Sequence, residues 1–149
     1  MGFQIAWSES TPGEKHVSFS GHKTACGLSV IEAEPVYDSK PEDVTCWLCG
    51  GALTFDVTAA QKKAVEFVRA YPGAQKWSNE GVYEFAHGVA DRVAGVAWHV
   101  KKEHRSWNTN HVFSEFMAYG GYMTDDSPTA RMIGLTAQAV LEVLTESNE

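Results

Sequence analysis

Two hydrophobic periods divide this chain. Up to about Phe55, apolar residues come in short runs separated by turn residues; from Asp56 onward they recur at three- and four-residue spacing. In the first part, Phe3–Trp7 alternates weakly and Thr11-Pro12-Gly13 marks a turn. His16–Ser20 reads as a strand, and Ser20-Gly21-His22-Lys23 as a turn into a second strand ending at Cys26. Leu28–Ile31 and Pro35–Tyr37 read as further extended pieces, and Pro41-Glu42-Asp43 leads into Val44-Thr45-Cys46.

The second part predicts about four helices. Val57, Ala60, Ala64, Val68 and Tyr71 fall on one helical face, with Thr58 and Gln61 as a capping box and Pro72-Gly73 as the stop. Ser78 is set to cap a long helix over about 79–104, whose stripe is Val82, Phe85, Val89, Val93, Val96 and Val100. Gly81, Gly88 and Gly95 argue against its continuity. A third helix near 110–119 carries Val112, Phe113, Phe116 and Met117 and ends at Gly120-Gly121. The last opens with Ser127 as cap and Pro128 in its first turn, and continues through Ile133, Ala137, Val140 and Leu144 to a frayed tail at 145–149. The expected fold is α+β: a zinc ribbon- or knuckle-like β module over 1–55, packed as one unit on a helical bundle over 56–149.

The chemistry concentrates in the first part. Cys26, Cys46 and Cys49 are all the cysteines of the chain, and the following 100 residues contain none. Cys46-Trp47-Leu48-Cys49 is followed by Gly50-Gly51, and Cys26 by Gly27, so each reads as a tight knuckle aiming sulfur at one point. Three thiolates and one imidazole make a closed, structural Zn2+ site. The fourth ligand is either His16 or His22. His16 is favoured, because a strand position opposite Cys26 suits a ligand pair better than the hairpin turn that holds His22. The competing readings are small buried thiols with a chance Cys-x-x-Cys, or a redox pair; the latter expects the thiols at a strand-to-helix start, and Gly-Gly follows here.

His16, Thr24-Ala25-Cys26-Gly27 and Val44-Thr45-Cys46-Trp47-Leu48-Cys49 together resemble small zinc-binding proteins common in actinobacteria and their phages. The resemblance covers about residues 14–52. It implies a metal site more than an activity; a phage-encoded protein of this kind is expected in the cytoplasm of its host cell.

Charge narrows the functional classes. The net charge is −7, and residues 1–56 hold three lysines against eight acidic residues, which places −5 of it there. A Cys3His zinc centre makes that part slightly more negative still, which argues against a DNA-reading finger. The one basic cluster is His99, Lys101, Lys102, His104 and Arg105, followed by Trp107, Asn108, Asn110 and His111. Lys101, Lys102 and Arg105 are the candidate nucleic-acid contacts, set against a helix C-terminus that favours positive charge anyway. Glu84, His87 and Asp91 lie within about 60° of each other around a helix and form a candidate catalytic group, set against a solvated polar face. Signatures for zinc deaminases, His-Glu-x-x-His metalloproteases, nucleophile elbows and phosphate loops are absent. No apolar run reaches the ~20 residues that span a bilayer, and the N-terminal residues lack the pattern of a signal peptide. The sequence thus predicts a cytoplasmic, non-enzymatic protein that binds a protein partner, such as a host protein, through an acidic surface. A nucleic-acid regulator using 99–111 and an enzyme built on Glu84, His87 and Asp91 are the alternatives.

Overall fold

The computed structural model describes residues 2–104, 108–120 and 127–147. Among them are three short strands, β1 (Gln4–Trp7), β2 (His16–Ser18) and β3 (Glu32–Ala33), and five α-helices. The helices are α1 (Trp47–Thr54), α2 (Val57–Ala70), α3 (Asn79–His104), α4 (Thr109–Tyr119) and α5 (Pro128–Ser147). The strands form an antiparallel sheet in the order β2-β1-β3, with Ile5 opposite Val17 and Ala6 opposite both His16 and Ala33. The α+β architecture expected from the hydrophobic pattern is the observed one.

Several local details differ from expectation. The strand expected to end at Cys26 is an isolated bridge, Lys23 to Ser29, because the chain turns tightly to present Cys26. Pro35–Tyr37 is not extended; Val36–Asp38 forms a 3-10 turn, as does Pro41–Asp43. The largest difference is α1. The Gly-Gly pair after Cys49 is not a turn but the middle of a helix that Cys46 begins.

The reason for that helix is packing. A Cβ on Gly51 would lie 2.6 Å from the backbone of Ala94 and Gly95, and one on Gly95 would lie 2.9 Å from the Trp47 carbonyl oxygen. Two helical backbones therefore touch, which only glycine allows at that spacing. Gly95, which argued for a break in α3, is instead the notch that receives α1, and α3 runs unbroken from Asn79 to His104.

α3 is the central helix, packed by α1, α2, α4 and α5. Its predicted stripe is buried apart from half-buried Phe85, and Ala86, Ala90, Ala94, Ala97 and Trp98 are buried too. A helix with neighbours on most sides buries more than one stripe, and its alanines let them approach. Ile5 and Val17 of the sheet join the same core as Val68, Val93 and Leu144 of the helices. Ser78 and Ser127 cap as expected, accepting from the backbone N–H of Gly81 (3.0 Å) and Ala130 (3.1 Å). The cap of α2 is Asp56, whose Oδ1 accepts from Ala59 N–H at 3.1 Å. Gln61, expected in a capping box, instead donates to Asp91 on α3 at 2.7 Å. No helix of the described residues is long and apolar enough to cross a membrane.

Candidate metal centre

Three separate segments bring the ligand atoms together. β2 supplies His16, buried to 1% exposure. The turn after β2 supplies Cys26: Gly27 N–H donates to Thr24 O (3.0 Å), Leu28 N–H donates to Thr24 Oγ1 (2.8 Å), and Gly27 sits at φ +99°. That left-handed conformation is what glycine supplies after the cysteine. Cys46 and Cys49 come from the start of α1, which is fastened to β2 by the N–H groups of Thr45 and Cys46 on Lys15 O (3.0 and 3.1 Å). Lys15 N–H returns a bond to Thr45 Oγ1 at 2.8 Å.

The four ligand atoms lie within 4.8 Å of one another. His16 Nδ1 is 3.5 Å from Cys26 Sγ and 3.6 Å from Cys49 Sγ, and Cys26 and Cys46 sulfurs are 4.0 Å apart. A tetrahedral zinc with usual bond lengths imposes separations of about 3.5 Å between N and S and about 3.8 Å between sulfurs. The cluster thus has the size of a single-metal Cys3His site. Its cysteines are free, and 4.0 Å is twice a disulfide's length. Thr11 Oγ1 lies 2.7 Å from His16 Nε2, which orients the ring with Nδ1 toward the sulfurs.

Electrostatically the cluster favours one thiolate by itself. Hydrogen bonds from the Cys46 and Cys49 thiols, followed by the opposing cost of burial, leave Cys26 far below the usual thiol range, and Thr24 and His16 assist. Cys46 is pushed up, chiefly because its thiol donates a hydrogen bond to Cys26 and so keeps its proton, and Cys49 is pushed up for the same first reason. A bound cation replaces those two protons, so metal affinity falls as pH falls. Cys49 backbone N–H points to Cys46 Sγ, a donor that favours the thiolate once the proton has gone.

His22, the alternative fourth ligand, is exposed and lies outside this group. Of the candidate nucleic-acid contacts, the two described lysines have engagements within the fold. Lys102 donates to Val44 O at 3.3 Å and lies over the Trp98 ring at 4.9 Å, so it ties α3 to the chain just before Cys46. Lys101 is half-buried and engaged, and Arg105 lies outside the described residues. His99 stacks on Trp47 at 4.0 Å, and Asn108 caps α4 by accepting from His111 N–H at 2.8 Å. Glu84, His87 and Asp91 do not converge. Glu84 is exposed, His87 meets the Tyr83 ring edge-on at 5.3 Å, and Asp91 is held by Gln61. Among the described residues, the His16 cluster is the only group of three or more such side chains close enough to hold a metal.

Sequence reasoning missed the residues that hold the ligands in place: Thr11, Thr24, Thr45 and Lys102. A signal existed for Thr24, which sits two residues ahead of Cys26, where a hydroxyl can bond a nearby backbone; the partner of Thr45, Lys15 N–H, is 30 residues away. Compared with known proteins, the chain matches no protein-family model, no curated protein and no solved structure.

Proposed function

We propose that this chain is a zinc-stapled, non-enzymatic protein that acts by binding a basic protein partner along the outer edge of its N-terminal sheet. The observation that carries this reading is the strip Ile31–Asp43. It holds three exposed large apolar side chains, Ile31 (63%), Val36 (49%) and Tyr37 (86%), among five carboxylates and one lysine. Glu32, Asp38 and Glu42 are exposed alongside them. Exposed apolar anchors ringed by one sign of charge suit a partner of the opposite sign, with an aromatic as the energetic centre. The strip is not loose. Ser39 Oγ accepts from Ile5 N–H (2.8 Å), Gln4 Nε2 donates to Glu34 O (3.1 Å), and Ile31 and Glu34 N–H bond to β1 carbonyls.

Zinc is the metal the donor set fits, because three thiolates and an imidazole at these separations suit a borderline-soft tetrahedral ion. Four ligands fill that tetrahedron, which supports a structural ion that stabilises the fold rather than one that binds substrate. The resemblance of residues 14–52 to actinobacterial and phage zinc proteins is in keeping with a phage-encoded protein directed at a host protein.

Native mass spectrometry of the untagged protein, purified from an actinobacterial host, tests this. One zinc per chain and a co-purifying basic protein are expected. A variant with Ile31→Ser, Tyr37→Ser and Glu34→Lys should keep the zinc and lose the partner. Retention of the partner by that variant would overturn the reading, as would a salt-sensitive nucleic-acid affinity with no protein partner.

A further inference from the structure

We infer that a second site, independent of the acidic strip, lies between α1, α3 and α4 and takes an aromatic group bearing a carboxylate. Among the described residues a cavity of about 320 Å³ opens there, walled by Trp47 and Leu48 of α1, Val96 of α3, Phe116 and Tyr119 of α4 and Gly120 after it, with Arg92 beside them. Its volume is at the small end of ligand pockets, sized for one or two fused rings. The walls are pre-organised. Trp47 is stacked on His99 at 4.0 Å and 18° and meets Tyr119 edge-on at 4.9 Å, so its ring plane is set by two neighbours. Cys46 and Cys49, which flank Trp47 and Leu48 along the chain, belong to the candidate metal cluster, so a bound ion would hold that turn of α1 in place. Trp47 and Tyr119 present aromatic surface against which a flat ring can stack or meet edge-on, at separations usual for such pairs.

Arg92 supplies the polar half of the recognition. It is exposed, and its Nε donates to Gly88 O at 3.0 Å one turn back on α3. Among the described residues no carboxylate pairs with it, although the protein as a whole is acidic. A guanidinium that no described carboxylate pairs, at the edge of an apolar cavity, favours a carboxylate in fork geometry. An apolar ligand without that group leaves the cation as it was, and a cationic ligand is repelled. The chemistry can come from a free aromatic acid or from the carboxyl terminus of a chain ending in an aromatic residue.

Isothermal titration of the zinc-loaded protein with 1-naphthoate, its neutral analogue 1-naphthamide, and a tetrapeptide ending in Phe with a free or amidated terminus tests the site. The acid is expected to bind about tenfold more tightly than the amide, the usual scale of one well-placed charged hydrogen bond. Arg92→Gln changes an exposed side chain, so the fold should persist; it should erase that preference while leaving the weaker amide binding in place. Val96→Phe, which fills the cavity, should abolish binding of all probes, with zinc content and circular dichroism confirming the fold. Preference for naphthoate marks a small acid as the source, and preference for the free-ended peptide marks a chain terminus. Equal affinity for acid and amide, a preference that survives Arg92→Gln, or no binding of any probe at millimolar concentration overturns the proposal. None of these outcomes depends on the fate of the acidic strip.

Discussion

The N-terminal third and the helical remainder of this chain are held together by different physics. In the helices, stability comes from apolar stripes: Val89, Val93, Val100, Val112, Val140 and Leu144 are fully or almost fully buried around α3. In the first 46 residues the strands are two to four residues long, and the fully buried large apolar side chains are Ile5, Val17 and Val44. These side chains join the helical core, but they are few for the length of loop they order. A metal ion held by His16, Cys26, Cys46 and Cys49 would add the missing constraint by tying β2, the Cys26 turn and α1 together. The helix α1 belongs to both regimes. Its first turn carries two ligands and its next residues, Gly50 and Gly51, lie against α3.

The comparison breaks most sharply at the ligands. Cys46→Ser or Cys49→Ser should abolish stoichiometric zinc binding and unfold the N-terminal sheet, since coordination energy in such sites is folding energy, about 10–16 kcal/mol in small zinc modules. Hydrogen exchange should then show lost protection in β1 and β2 with α3 and α5 still protected. His22→Ala should leave both readouts unchanged. Equal collapse of all helices would show that the two regions are one cooperative unit.

A smaller effect probes the joint itself. Gly51→Ala places a methyl against the backbone of Ala94 and Gly95, and overpacking of this kind costs about 1–3 kcal/mol. Denaturant titration should show a lower midpoint, and competition with a chelator should show weaker zinc retention, because α1 cannot move off α3 without carrying Cys46 and Cys49. Loss of stability with unchanged zinc affinity would mean that the joint and the site are uncoupled.

Support of the ligands is subtler again. Thr11→Val removes the partner of His16 Nε2 and should weaken zinc about 10–100-fold without changing the stoichiometry, as measured by chelator competition.

The smallest effect lies wholly in the helices. Burial holds the Asp91 carboxyl above its ordinary range, against the opposing pull of the Gln61 hydrogen bond and of His87. The folded state therefore binds this proton more tightly than the unfolded chain does. The associated stability is fully present below the unfolded carboxylate pKa of about 3.9 and is lost as pH rises through the higher folded value. Asp91→Asn keeps an acceptor for Gln61 and should raise neutral-pH stability by on the order of 0.5 kcal/mol. The gain should vanish on acidification below the carboxylate range, as thermal melts at several pH values would show.

Much of this was legible along the chain because it is local. Helical spacing of Val82 through Val100, the caps at Ser78 and Ser127, and the glycine after Cys26 each follow from a few neighbouring residues. Gly50-Gly51 reads as part of a knuckle because local grammar cannot see Ala94 and Gly95 of α3, more than forty residues further along. Thr58 and Gln61 matched a cap pattern for the same reason, while Asp56 held the cap and Gln61 reached across to Asp91.

The sequence by itself determined the ligand candidates and the change from strand to helix, since thiol spacing and hydrophobic period are properties of the chain. Only the tertiary structure decided that His16 and not His22 faces the three sulfurs, that glycine serves helix contact at Gly51 and Gly95, and that Lys102 holds Val44 across 58 residues. Those decisions depend on which surfaces meet. Contacts between distant segments are set by the sum of many weak packing terms, which no single stretch of sequence carries.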